Sequence, residues 1–105
     1  MTLEEKEKQI INHYGVLPQL KYFQSEVFEL NEAILEYDHF YKNTGKAMTY
    51  YNMSTEHIAE EIADVQLMLN QFKEYYSISN ITIDRIMNEK ANRQLERIIN
   101  ENNPR

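Results

Sequence analysis

Apolar residues recur at spacings of three and four along two long stretches of the chain, and this pattern limits the possible fold more than any other feature. The first series is Leu20, Phe23, Val27, Leu30, Ile34 and Tyr37, and the second is Ile58, Ile62, Val65, Leu69, Phe72 and Tyr76. Such spacing places the side chains on one face of an α-helix, so each stretch predicts a helix with a buried stripe. The 105 residues include only 2 Gly and 2 Pro, which leaves few residues for hairpin turns. We therefore predict an all-α fold, a small antiparallel bundle of about four helices.

Turn-forming residues mark the ends of the first two predicted helices. The first helix covers Leu3 to His13 and is closed by Gly15, a residue type that commonly ends helices. The second helix runs from about Pro18 to Lys42. Residues 43–53 then break the apolar spacing, and we predict that they form the longest loop of the chain.

The second half of the chain is expected to form two further helices. Ser54 or Thr55 caps the third helix, which is near 30 Å long, and a fourth helix follows it. All four belong to a single predicted domain, residues 1–105. In that domain, residues 1–16 form an N-terminal helix and turn, and residues 99–105 form a frayed polar tail.

Composition excludes several classes of function. The chain has no Cys, which rules out disulfides, thiolate metal sites and cysteine nucleophiles. A net charge of −6 does not provide the basic surface that nucleic-acid binding requires, so no nucleic-acid partner is expected. No apolar run approaches the roughly 20 residues of a membrane-spanning helix, so no membrane partner is expected and we predict a cytoplasmic protein.

Two carboxylates occupy positions where their predicted helices should carry core side chains. By helical counting Glu26 lies among the buried positions of the second helix, and Glu61 takes the equivalent place on the third. Glu29 and Asp64 follow them at a spacing of three residues, on the edge of the same face. We call these four residues the acidic cluster. Gathered carboxylates repel one another unless a cation lies among them, and oxygen ligands suit Mg²⁺ or Mn²⁺. Pairing of these acids with Lys or Arg from another helix is the structural alternative.

The acidic residues stand in two motifs that resemble a known family. The segment Gln24 to Ile34 contains E-x-x-E, and the segment Glu60 to Leu69 contains E-x-x-D. In this order, with the apolar residues around them, the motifs resemble those of the all-α nucleoside triphosphate pyrophosphohydrolases of the MazG-like superfamily. The resemblance implies Mg²⁺-dependent cleavage of a (d)NTP between the α and β phosphates. The products would be a nucleoside monophosphate and pyrophosphate, and the implied role is removal of unwanted nucleotides.

The resemblance also implies roles for individual residues. Glu26, Glu29, Glu61 and Asp64 match the metal-binding positions of the family, and Mn²⁺ is a possible substitute for Mg²⁺. A carboxylate not fully used in coordination, either Glu60 or Glu29, would hold or deprotonate the attacking water, and the sequence does not decide between them. The chain departs from the family in one place, because Ser25 stands where many members have a further Glu.

Basic residues of the fourth helix and the wide apolar faces predict what the chain binds. Lys90 and Arg93 on the fourth helix resemble the family's triphosphate-binding groups; pairing with the acidic residues is the equally weighted alternative. Apolar stripes this wide on a short chain predict self-association, and the resemblance implies a homodimer or a homotetramer. A different class of function remains open, namely a catalytically silent helical interaction or regulatory module with the same fold.

Overall fold

The computed structural model describes residues 1–44 and 54–102, and about 91% of these residues are helical. The elements are four α-helices, with no strand among the described residues: α1 (Leu3–Tyr14), α2 (Val16–Thr44), α3 (Thr55–Tyr75) and α4 (Asn80–Asn102). The predicted all-α fold is therefore confirmed. The chain divides into two compact units, Met1–Tyr75 with α1 to α3 and Tyr76–Arg105 with α4.

Helix α1 begins and ends as its sequence predicts. The Thr2 side chain accepts a hydrogen bond from the backbone N–H of Glu5 at 3.1 Å and so caps the first turn. At the other end Gly15 adopts a positive φ of 86°, and its N–H donates to the carbonyl of Ile11 at 2.8 Å. Helix α2 starts at Val16, two residues before the predicted start, because proline is tolerated in the first turn of a helix.

Helices α3 and α4 both begin with a capping serine. Ser54 Oγ accepts from the N–H of His57 at 3.2 Å, which decides between the two predicted caps of α3. Ser79 Oγ accepts from the N–H of Thr82 at 3.1 Å at the start of α4.

Most of the predicted loop, residues 45–53, lies outside the described residues. Helix α4 reaches Asn102, further than its apolar spacing indicates, because polar residues continue the helix without adding to that spacing.

Helices α2 and α3 pack side by side in opposite directions. Residues near the start of α2 meet residues near the end of α3: Gln19 hydrogen-bonds Gln71 at 2.7 Å, and the rings of Phe23 and Phe72 meet edge to face at 5.7 Å. Helix α1 packs mainly against α3. This arrangement brings the two acidic motifs to the same level of the helix pair, so that their carboxylates face one another.

The apolar faces predicted for α2 and α3 are each only partly buried. Phe23, Leu30, Ala33, Val65, Met68 and Phe72 are buried or half-buried. Neighbouring apolar residues of the same predicted stripes are between 41% and 45% exposed, which corrects the prediction that they belong to the core. We call this exposed set the apolar stripe; it consists of Leu20, Val27 and Ile34 on α2 and Ile62 and Leu69 on α3. None of the helices within the described ranges is long and apolar enough to cross a membrane.

Candidate metal centre

Carboxylates from α2 and α3 meet where the two acidic motifs face each other. Each of Glu26, Glu29 and Glu61 offers a carboxylate oxygen, and these three oxygens lie within 4.8 Å of one another. Glu26 and Glu29 share a face because they are three residues apart on α2, and antiparallel packing brings Glu61 of α3 against them. The structure thus gathers three of the four residues of the acidic cluster.

Two oxygens of this group are buried without a hydrogen-bond donor. Oε2 of Glu26 and Oε2 of Glu61 are inaccessible to solvent, and neither accepts a hydrogen bond from any described group. The Glu61 side chain is only 12% exposed. Removing a carboxylate from water costs several kcal/mol unless a donor or a cation replaces the lost hydration. The described residues supply no donor for either oxygen, so the fold alone does not offset this cost.

Burial and mutual repulsion both disfavour the ionised forms of these two acids. Desolvation raises the pKa of Glu26 above its ordinary value, and repulsion from Glu29, Asp64 and Glu61 raises it further. Desolvation is also the largest cause that raises the pKa of Glu61, followed by repulsion from Glu29 and Asp64. A hydrogen bond with Glu29 favours the protonated form of Glu26. In the absence of a cation, both effects therefore favour the protonated forms of Glu26 and Glu61.

The remaining predicted acids surround this group. Asp64 is exposed and is not one of the three residues within 4.8 Å, but it is close enough for its charge to act on both Glu26 and Glu61. Glu60 is exposed beside Glu61, and its charge also raises the pKa of Glu61. Glu29 is exposed as well, unlike the two inner acids. The acidic cluster therefore has a buried side and a side open to solvent.

This arrangement fits a small divalent cation. Ligand oxygens lie about 2.0–2.1 Å from Mg²⁺, so two oxygens on one ion are separated by at most roughly 4.2 Å. Neighbouring ligands of an octahedral ion are about 2.9 Å apart, so shifts of up to about 1 Å would bring the three oxygens, which lie within 4.8 Å of one another, onto one ion. The donor set is carboxylate oxygen, which Mg²⁺ and Mn²⁺ prefer. A cation would also provide the partner that the buried oxygens of Glu26 and Glu61 lack.

His57 lies against the acidic cluster, which sequence interpretation did not expect. Its Nδ1 is 3.9 Å from Oε1 of Glu61, and its side chain is 23% exposed. The imidazole lowers the pKa of Glu61, opposing the effect of the carboxylates. The spacing of four residues between His57 and Glu61 places both on one helix face and was the available signal.

A cleft of about 390 Å³ opens beside the acids, between the α1–α2 turn and α3. Glu26 and Asp64 form one part of its wall. The rest is mainly apolar or aromatic and consists of Tyr14, Pro18, Gln19, Tyr22, Leu67 and Met68. Tyr14 and Tyr22 are 58% and 63% exposed, so their rings are accessible to a ligand. The cleft joins an aromatic surface to the acidic cluster.

The two predicted phosphate-binding residues lie on α4. Lys90 and Arg93 are both exposed and belong to the second unit of the chain, Tyr76–Arg105. Within that unit, Arg85 pairs with Glu89 one turn further along the helix at 3.2 Å. The role of Lys90 and Arg93 in phosphate binding stays a prediction.

Comparison of the chain with family models, with curated proteins and with solved structures yields no match.

Proposed function

We propose that the protein is a Mg²⁺-dependent nucleoside triphosphate pyrophosphohydrolase of the MazG-like kind, with Mn²⁺ as a possible substitute ion. The observation that carries the proposal is the pair of buried carboxylate oxygens, on Glu26 and Glu61, that no described donor satisfies. A chain that needed these positions only for packing would avoid the cost of desolvating them. The adjoining cleft supplies space for the rest of a nucleotide.

In this proposal the residues of the acidic cluster, Glu26, Glu29, Glu61 and Asp64, would hold the cation. The chemistry that a cation would supply there is neutralisation of the charge on the phosphate oxygens and a lower pKa for the attacking water. Glu29 or Glu60, both exposed at the edge of the cluster, accepts the proton of the attacking water. The water oxygen forms a bond to the α-phosphorus, the bond from that phosphorus to the bridging oxygen breaks, and pyrophosphate leaves. Lys90 and Arg93 are proposed to bind the triphosphate.

Self-association forms a second part of the proposal. The apolar stripe repeats every seven residues on α2, at Leu20, Val27 and Ile34, and continues on α3 at Ile62 and Leu69. A seven-residue apolar repeat is what one helix presents to another in a bundle. We propose that the stripe packs against a second copy of the chain, in a homodimer or a homotetramer.

The other candidate function is a catalytically silent interaction module, and the apolar stripe is the observation that favours it. Such a module would use the stripe to bind a partner helix and would have no need of the acids. The two interpretations differ at Glu26 and Glu61, because an interaction module gains stability when these residues are replaced by leucine and loses no function.

The deciding experiment is a product assay. Purified protein is incubated with Mg²⁺ and a panel of canonical and modified nucleoside triphosphates while pyrophosphate and monophosphate are measured. Equal amounts of both products, dependent on the metal and absent in Glu61→Gln, are expected. The matched control is Glu32→Gln, an exposed carboxylate of α2 outside the acidic cluster. Absence of metal-dependent products with every triphosphate would refute the enzymatic proposal and leave the interaction module.

A further inference from the structure

A pair of buried glutamines lies at the contact between α2 and α3, beside the cleft. Gln19 is 8% exposed and Gln71 is 2% exposed, although both side chains are polar. Nε2 of Gln19 donates a hydrogen bond to Oε1 of Gln71 at 2.7 Å. Burying a carboxamide costs free energy unless its polar groups are hydrogen-bonded, and this bond satisfies one donor of Gln19 and one acceptor of Gln71.

A contact with Met68 favours one orientation of the Gln71 amide, and through it one orientation of Gln19. Nε2 of Gln71 lies 3.7 Å from the sulfur of Met68, which is a weak acceptor and has no hydrogen to donate. This contact favours the orientation in which the NH₂ of Gln71 faces the sulfur and Oε1 accepts from Gln19. Gln19 in turn must donate through its own NH₂. Its carbonyl oxygen and its second N–H are not used in this bond.

Gln19 is also part of the wall of the cleft, where it is the one carboxamide among the described lining residues. Tyr14 and Tyr22 offer accessible aromatic rings in the same cleft. An aromatic surface binds a flat heterocycle by stacking, and a carboxamide with one free donor and one free acceptor matches the hydrogen-bonding edge of a nucleobase. Gln19 lies two helical turns, roughly 10 Å, before Glu26 on α2, a distance that a sugar can bridge between a base and its phosphates.

We infer that Gln19, held in one orientation by Gln71, is the residue that recognises the base of the nucleotide bound in this cleft. The inference rests on the proposed function for the identity of the ligand. It adds that the part of the cleft away from the acids binds the base. Gln71 is a positioning residue, since it acts on the ligand only through Gln19. A site built to form hydrogen bonds discriminates strongly against ligands that cannot form them, because its own polar groups would be left unpaired.

The test measures binding without turnover. Adenosine, cytidine, guanosine and uridine monophosphates are titrated into the protein by calorimetry, with ribose 5-phosphate as the ligand that has the phosphate but no base. The native chain is expected to bind at least one monophosphate at least about tenfold more tightly than ribose 5-phosphate. Gln19→Leu is expected to reduce this difference, although stacking on Tyr14 and Tyr22 persists, and Gln24→Leu, at an exposed position of the same helix, is expected to keep it in full.

A second variant and a check of folding complete the test. Gln19→Met, with a flexible side chain of similar volume, serves as a second variant in case Gln19→Leu fails to fold, and circular dichroism checks helix content in each. Equal affinity of the native chain for every monophosphate and for ribose 5-phosphate would overturn the inference. Unchanged discrimination in a folded Gln19 variant would also overturn it. Failure of the proposed function has a different signature, namely absence of metal-dependent pyrophosphate release while base discrimination persists.

Discussion

Glu26 and Val27 are adjacent on α2, and Glu61 and Ile62 are adjacent on α3, yet each pair shows the reverse of ordinary burial. The carboxylates point inward, each with an oxygen that solvent does not reach, while Val27 and Ile62 are 41% and 42% exposed. In a helix pair that needed only to fold, the apolar member of each pair would take the inner position. The inversion occurs at the same level on both helices.

This inversion is expected if the two faces bind different partners, as we propose. The inner positions carry a cost in the isolated chain, since burial raises the pKa of both acids. The outer positions carry a smaller cost, because apolar side chains remain in water. A cation would offset the first cost and a second protein surface would offset the second.

Replacing an inner carboxylate should have the largest effect. Glu61→Gln keeps the shape of the side chain but removes the negative charge, and we expect pyrophosphate release to fall at least about 100-fold, which corresponds to losing about 3 kcal/mol of transition-state stabilisation. Steady-state kinetics with Mg²⁺ measure the effect, with Glu32→Gln as the control. A Glu61→Gln variant with native turnover would show that the inner acids have no part in the reaction.

Replacing an outer residue should act on assembly instead. Ile62→Glu is expected to weaken self-association by at least about tenfold, because burying an isoleucine contributes about 1.5–3 kcal/mol. Sedimentation velocity at several protein concentrations measures the change. Ile81→Glu is the matched control, since Ile81 lies outside the apolar stripe and is already 81% exposed. If the native chain is monomeric, or if both variants sediment as the native chain does, the apolar stripe is not a contact between copies.

Relieving the repulsion should stabilise the metal-free protein. Glu26→Gln or Glu61→Gln removes a buried charge, and a relief of about 1 kcal/mol would raise the melting temperature by about 4–8 °C for a chain of this size. Added Mg²⁺ should raise the melting temperature of the native chain and should have little effect on either variant. Lower metal-free melting temperatures in both variants would instead mean that the acids are paired structurally.

The smallest expected effect is on the pH dependence of stability. Because the folded-state pKa of Glu26 and Glu61 lies above the ordinary value of 4.5, the folded protein holds protons that the unfolded chain releases. Their contribution to stability is fully present below pH 4.5 and is lost as pH rises through the raised values. Metal-free denaturant titrations should therefore show the advantage of a Glu26→Gln, Glu61→Gln double variant growing from pH 4.5 upward. A constant difference between the two proteins across this range would contradict the assignment.

The sequence predicts helices α2 and α3 and the acidic positions on them, but not which residue of each neighbouring pair faces the other helix. The spacing of apolar residues predicts α2 and α3, and counting along them places Glu26 and Glu61 at inner positions. Periodicity does not decide which member of each neighbouring pair faces the other helix, because both Glu26 and Val27 lie within the arc of one helical face. That choice depends on the rotation of the helices, which tertiary packing sets.

The cleft was also beyond sequence interpretation. Gln19 and Gln71 are ordinary surface residue types, and nothing in their local spacing indicates that they form a buried pair 52 residues apart. His57 was not among the predicted site residues, although its position four residues before Glu61 places both on the same face of α3. Local periodicity predicts which residues share a helix face, whereas contacts between helices require the fold.

Binding of Mn²⁺ to the metal-free protein, measured by electron paramagnetic resonance at neutral pH, tests the central claim most directly. The native chain and Glu32→Gln should bind the ion with equal affinity, while Glu26→Gln and Glu61→Gln should each bind it at least about tenfold more weakly, a loss of about 1.4 kcal/mol or more. Equal affinity in all four proteins would contradict the assignment of the acidic cluster as a metal centre.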